Sequence, residues 1–462
     1  MRAAAAIMSS LSRWTAPAIF KSLGMDIFGY REWLGRTAGW SQDKRAQWRI
    51  ERLNEMLRFC WNEVPFYRQF WADHGVSAAP LGAVEELEAY PIVTKDLFRQ
   101  NYERLQPVSG AKIPHKVCRT GGTTGEPVQY CQDLGLHSVR EAFGLWAYER
   151  AGYRFGDPIT ILAGHRLLPD LEKPLSRGRL RLVLRRVLPL LGVHMDGELA
   201  RQYRDRMVAH GTRFLCGYPS CLSEFASCLS RDGLGLPGLK GAFTTSEMLQ
   251  LADRRMIEEC FGCPVWDEYS CNDGGISAYE CSLHDGHHYN DLEAIAESVD
   301  RQENGGGKLL ITNLWNRSTP FIRYENGDQV LLGEGACSCD WSFPRIESLQ
   351  GRVTDRLAFA SGRVLLGPSI VHIFHEMPDF GEIQAFQVVQ RSPKRVEVRL
   401  RAPSGVGETN KSFIRRVFAF HAGEDVEVDI RTVGELHRSP GGKLKYVWVE
   451  FDEAALASPA PE

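Results

Sequence analysis

The sequence predicts an α/β protein, with a large N-terminal domain of mostly parallel sheets plus an antiparallel subdomain, then a small α+β C-terminal domain. Three observations predict it. Between about 157 and 300, apolar runs ("PITILAG", "TRFLCGYP", "LKGAFTTS", "CPVWDEYS") alternate with helix-like segments ("CLSEFASCLSRDG", "LADRRMIEECFG"), the alternation of a parallel sheet. After 305, short strands and turns take over in "GKLLITNL", "PFIRYENGD" and "QVLLGEG", which predicts antiparallel pairing. The last stretch alternates in period two ("RVEVRLRAP", "EDVEVDI", "KYVWVEF") around one helix near 408–420. The boundary falls at "GRVTDRL", giving domains 1–354 and 355–462.

Taken in order, residues 41–75 read as helix, because Leu53, Met56, Leu57 and Cys60 recur at the three-and-four spacing of one buried face until Pro65 ends or kinks it. Residues 173–192, "KPLSRGRLRLVLRRVLPLLG", mix Arg with Leu and Val. They are read as a core-packing helix with a solvated basic face, a membrane-surface helix being the alternative.

Composition excludes several functions. The 55 basic and 58 acidic side chains form no long single-sign block, which excludes a nucleic-acid partner. No apolar run reaches the roughly 18–20 residues of a spanning helix. The opening "MRAAAAIMSSLSRWTAPAIFKSLG" lacks the order of a signal peptide, and the 12 cysteines are scattered singly. Both point to a cytoplasmic protein.

The loop "CRTGGTTGEPVQY", 118–130, is the first motif with chemistry in it. Glycines let the backbone approach a phosphate, and threonines add hydroxyls. It is no Walker loop, because Glu126 and Pro127 stand where the lysine would be. A plain turn between strands is the alternative reading.

"TGGTTGEP" resembles the signature loop of the adenylate-forming superfamily, the acyl- and aryl-CoA synthetases and their relatives. Four further elements follow in the family's order: "YSCND" (269–273), "FIRYENGD" (321–328), "GRVTD" (351–355) and "RSPGGKLKYV" (438–447). "VPFYRQFW", "YPIVTKDLFR", "GYPS", "TTSE" and "TNLWNRSTPFIRY" are similar to the phenylacetate-CoA ligase branch and its capsule-biosynthesis relatives. The resemblance implies that Thr120, Gly121, Gly122, Thr123, Thr124 and Gly125 hold the β- and γ-phosphates of ATP, with Thr124 also catalytic. It implies that Asp328 takes the ribose hydroxyls with Arg352 nearby, and that Tyr269 and Glu247 belong to the nucleotide site. Lys443 would bridge the α-phosphate and the substrate carboxylate, and Asp355 would be the hinge of a mobile C-terminal domain. Seen singly, Asp328 in "NGD" reads equally as a turn residue, Arg352 as a surface ion pair and Lys443 as a solvated loop lysine.

The reaction implied is attack of a carboxylate on the α-phosphorus of MgATP, then transfer of the acyl group to a thiol, coenzyme A. Bringing one anion onto another calls for electrostatic catalysis. Two departures stand in the "YSCND" element. The family's glycine is Ser270, and its Mg2+-associated glutamate is Asp273, one methylene shorter. A degenerate nucleotide binder, or a ligase with an amine, hydroxyl or carrier-protein acceptor, are the rival readings. The substrate is a carboxylic acid, with Tyr218, Pro219 and Phe225 compatible with an aromatic or fatty one and equally with core packing.

Cys281, His288, Cys337 and Cys339 are the expected ligands of a structural Zn2+, with His284 or His287 the substitutes. Three thiols and an imidazole suit a closed tetrahedral site, and similar Cys/His patterns occur in the phenylacetate-ligase-like relatives.

Overall fold

The computed structural model describes residues 2–109, 113–119, 128–163, 177–192, 195–301, 305–352, 356–361, 363–366, 370, 374, 377, 383, 385–402, 405–423, 426–438 and 444–451. For 2–11, 177, 252, 351, 352, 356, 364 and 366 it describes the backbone alone. The chain divides into two compact units, Met1–Leu249 with Asp253–Leu349, and Gln250–Ala252 with Gln350–Glu462.

The first unit opens with helices α1 (Arg2–Ser22), α2 (Ile27–Thr37), α3 (Gln42–Glu63) and α4 (Pro65–Asp73). Ser41 caps α3 by accepting from the Lys44 N–H. Leu53, Met56, Leu57 and Cys60 all face the core, as their spacing predicts. Pro65 cannot donate to a continuing helix, so α3 stops at Glu63 and the proline starts α4 at its first turn. Short helix α5 (Lys95–Gln100) follows, then hairpin β1 (His115–Arg119) and β2 (Gln129–Asp133), paired antiparallel, and helix α6 (Leu134–Arg150).

Next come β3 (Ile159–Ala163), α7 (Arg177–Arg185), β4 (Val187–Leu191), α8 (Gly197–His210), β5 (Phe214–Gly217), α9 (Pro219–Arg231), β6 (Gly241–Thr245), α10 (Leu251–Phe261) and β7 (Val265–Cys271). Then β8 (Ile276–Glu280), β9 (His287–Tyr289), β10 (Ala294–Val299), β11 (Gly307–Asn313), β12 (Tyr324–Leu332) and β13 (Arg345–Arg352) complete an eleven-stranded sheet. Its order is β10-β11-β12-β13-β9-β8-β7-β6-β5-β3-β4. Strands β3 to β7 pair in parallel. Every residue of β6 and β8 is buried, as expected of strands covered on both faces.

Two expectations need correction, and one open alternative falls away. Within the large sheet, antiparallel pairing begins at β8 rather than after 305, and these strands continue the parallel part. Residues 173–192 are not one helix: α7 stops at Arg185 and the branched run behind it becomes edge strand β4. "NGD" is not a turn. β12 runs through it, with the extra residues 326–328 bulged between the pairs Lys308↔Gln329 and Leu310↔Glu325.

The second unit is α+β, with hairpin β14 (Arg356–Ala358) and β15 (Val364–Leu366), then β16 (Ala385–Ser392), β17 (Arg395–Arg401), α11 (Glu408–Ala422), β18 (Glu427–Thr432) and β19 (Val447–Val449). Its four-stranded sheet has the order β18-β17-β16-β19. Ile414, Phe418 and Ala422 of α11 join the same core as Val388, Val396, Val398 and Leu400 of the sheet. Buried Gln390 exchanges two hydrogen bonds with the Ala358 backbone, 2.7 and 3.0 Å. Among the described residues, no helix is long and apolar enough to cross a membrane.

Candidate active site and metal centre

Asp273 stands on the turn between β7 and β8, a turn only glycine can make. Gly274 and Gly275 take φ of +100° and +70°. A Cβ on the first would lie 2.8 Å from Ile311, and on the second 2.7 Å from the Asn313 amide. The turn buries the Asp273 carboxylate, which accepts from Tyr324 Oη at 3.1 Å and lies 3.5 Å from Lys95 Nζ. The Cys271 thiol donates to the Asp273 carbonyl and carboxylate, 2.6 and 3.3 Å.

The bulge in β12 aims Asp328 at the same strand. Gly327 at φ +83° makes the bend, and Asp328 N–H donates to Asn326 Oδ1 at 3.0 Å. Tyr269 Oη donates to Asp328 Oδ2 at 2.7 Å, and Asn326 Nδ2 donates to both, at 2.8 and 3.0 Å. Burial first, and the adjoining carboxylates second, push the Tyr269 and Tyr324 hydroxyls well up. Both stay protonated donors that fix the two carboxylates as acceptors. The Ser270 hydroxyl turns to the Glu268 carboxyl, which burial pushes up to about 7.

Thr120 to Gly125, Asp355 and Lys443 lie outside the described residues, and Arg352 is described by its backbone alone. The support of the Gly/Thr loop is described. Strands β1 and β2 pair up to Arg119↔Gln129, bracketing the loop. β2 is clamped by the connection 314–323, a buried segment. Thr319 Oγ1 accepts from Cys131 N–H at 2.9 Å, Asn316 Nδ2 donates to the Cys131 carbonyl at 3.0 Å, and Asp133 N–H donates to Asn316 Oδ1 at 3.1 Å. Asn313, in turn, donates to the Gly275 carbonyl at 2.7 Å. A loop can be buried because side chains satisfy its neighbours' backbone groups.

Glu247 joins two of the quoted motifs: its carboxylate accepts from the Ser220 N–H at 3.2 Å, at the start of α9, where a helix favours an anion. Tyr218, Pro219 and Phe225 are buried in the α9 core. Sequence reasoning assigned no role to Lys95, Tyr324, Asn316 or Thr319. "YPIVTKDLFR" and "TNLWNRSTPFIRY" held them, but nothing local shows which carboxylate or strand they reach.

Cys281, His288, Cys337 and Cys339 come together with all four ligand atoms within 4.8 Å of one another. The pairing of β9 with β13, Arg345 opposite His288, brings the histidine to the connection that carries Cys337 and Cys339. His288 Nδ1 lies 2.7 Å from the Phe343 carbonyl, which makes it the donor and turns Nε2 toward Cys339 Sγ at 3.4 Å. The bond from Nδ1–H to the carbonyl fixes the tautomer a metal ligand needs. A tetrahedral zinc with Zn–S near 2.3 Å sets sulfurs about 3.8 Å apart, so the donor set and its size fit. His284 and His287 instead reach Glu280 and Asp267, each at 3.0 Å.

Comparison with known proteins follows this geometry. No family model matches the chain. It is 25% identical to a phenylacetate-coenzyme A ligase of Pseudomonas putida over 439 residues, covering 87% of this chain and 93% of the relative. It is 22% identical to Protein CapK of Staphylococcus aureus over 407 residues, 86% and 87% of the two chains. Among solved structures it resembles 2-hydroxyisobutyryl-CoA ligase in complex with 2-HIB-AMP, with a TM-score of 0.67 at 20% identity over 90% of this chain and 91% of the other. The fold and the ordered elements resemble those of the adenylate-forming superfamily, and by class the chain is an AMP-forming ligase. Within it the chain is phenylacetate-CoA ligase-like.

Proposed function

We propose that this enzyme activates a carboxylic acid with MgATP, releasing pyrophosphate and forming an acyl- or aryl-adenylate, and then passes the acyl group to the thiol of coenzyme A. The observation that carries the reading is the pair of fixed carboxylates on adjoining motifs, Asp328 held by Tyr269 and Asn326, and Asp273 held by Tyr324 and Lys95. A carboxylate locked as an acceptor suits the two hydroxyls of a ribose. A carboxylate beside a lysine suits a site where phosphate charge must be balanced. Mg2+ would be held through the oxygen of Asp273 and would offset phosphate charge when bound.

In the proposed first step a substrate carboxylate oxygen bonds to the α-phosphorus, and the bond to the bridging oxygen breaks, so the electron pair leaves with pyrophosphate. Thr120 to Gly125 would hold the departing phosphates, with Thr124 donating its hydroxyl, and Arg352 would lie by the ribose and phosphates. Lys443 would neutralise the two anions that meet. In the second step a thiolate sulfur attacks the adenylate carbonyl and AMP leaves. Zn2+ at Cys281, His288, Cys337 and Cys339 would be structural. None of the 12 cysteines is in a disulfide, which suits a reducing cytoplasm.

The test is pyrophosphate release by the purified protein with MgATP, CoA and a panel of aryl and aliphatic acids. Acid-dependent release is expected, falling about 100-fold or more in Lys443→Ala and in Asp328→Ala, the scale lost with one stabilising group. ATP binding with no release across the panel would favour a nucleotide-binding protein, its Asp273 neutralised by Lys95. Acid-dependent release without CoA consumption, with the acyl group recovered on an added amine or alcohol, would move the acceptor to an amine or hydroxyl.

A further inference from the structure

A cavity of about 590 Å3 opens between α2 and α3, lined by none of the residues assigned above. Trp315 of the buried connection completes its wall. Its aromatic lining is Tyr30, Trp33, Trp48 and Trp315, half-buried rings that pack on one another and on the edges of two cores. Tyr30 meets Trp315 edge-on at 5.2 Å, and Trp33 lies 5.4 Å from Trp48 and 6.0 Å from Trp315. Tyr30 and Trp33 stand at 87° and 75° to Trp315, while Trp48 lies at 32° to it, so the lining rings are not all parallel.

Cations already gather on this cluster. The Arg52 guanidinium lies 4.7 Å over Trp315, and Lys44 Nζ lies 4.8 Å over Trp40, which packs on Trp33. Charge around the cavity continues the theme. Four carboxylates line it, Asp26, Glu32, Glu51 and Glu55, against Arg36 and Arg52. Arg52 pairs with Glu55 at 2.7 Å, Asp26 caps α2 by accepting from the Gly29 N–H and Glu51 accepts from Gln47 at 2.7 Å, so the four carboxylates outnumber the two lining guanidinium groups. An anion would be repelled, and a neutral ring would gain nothing from the carboxylates.

We propose that this cavity binds a small organic cation with an apolar body, a quaternary or protonated amine. The rings take the alkyl groups and the charge on their faces, and Glu32 and Glu51 set the potential at the rim. The site is independent of the adenylation reading.

The test uses the full-length protein with choline, tetramethylammonium and the neutral isostere 3,3-dimethylbutan-1-ol, followed by calorimetry and ligand-observed NMR. Saturable binding of the cations is expected, with the isostere at least about tenfold weaker. Glu32→Gln/Glu51→Gln, at exposed positions, should weaken cation binding several-fold, and Trp33→Ala should abolish it. Because Trp33→Ala disturbs the ring cluster, the glutamine variant stands as the test that keeps the fold. Equal binding of the isostere, no saturable binding up to tens of millimolar, or cation binding unchanged in the glutamine variant would each overturn the proposal.

Discussion

Glu293 is wholly buried, and its charge state follows from that burial. The Arg140 guanidinium approaches only to 3.4 Å and Ser277 only to 3.5 Å, so burial prevails and pushes the carboxyl up to about 8 from an ordinary 4.5. The sign follows. Between those values the folded chain holds a proton that the unfolded chain has released, so stability falls as pH rises from about 4.5 through about 8. Glu293→Gln should remove up to about 1.4 kcal/mol of that loss per pH unit. Thermal unfolding at pH 5 and pH 8 checks it: parallel losses in wild type and variant would contradict the raised value. Single residues were the least legible scale. Asp273 and Asp328 could be picked from their motifs, whereas Lys95, Tyr324 and Asn326 gain a role only once distant strands meet.

The elements were more legible, because period and punctuation are local. The face Leu53, Met56, Leu57 and Cys60, the stop at Pro65 and the strands of the parallel sheet are set by spacing and chain geometry. The misread strand and the discarded turn share one cause. "NGD" has turn composition, and "VLPLL" follows a helical run, but pairing with β11 and with β3 makes both into strand. Tertiary context overrides propensity in such segments. The Cys/His group lies between, since its residues were visible but the choice among His284, His287 and His288 depended on β9 pairing with β13. The proposed centre predicts about one equivalent of zinc per chain. Cys339→Ser should lose that zinc and lower Tm, by about 1–2 °C for each kcal/mol lost in a unit of this size. Wild-type protein stripped of metal that melts with the untreated protein would remove zinc from the structure.

At the scale of the whole molecule, each unit has its own core, and the second closes around Phe359, Phe374, Val388, Val398, Ile414 and Phe418. A fragment of residues 350–462 should therefore fold alone and melt cooperatively, as followed by circular dichroism. If the proposed lysine acts from this unit, the complementary fragment 1–349 should bind ATP yet release no pyrophosphate. A disordered C-terminal fragment would mean that the unit depends on the rest of the chain. The connection 314–323 has a further consequence, for how the chain can change over time. Surface loops tolerate insertion and deletion, but in this one Asn316 and Thr319 hold β2, and the flanking Asn313 holds the Asp273 turn. One inserted residue would misplace all of these anchors together, so descendants of this protein can vary the side chains here far more freely than the spacing.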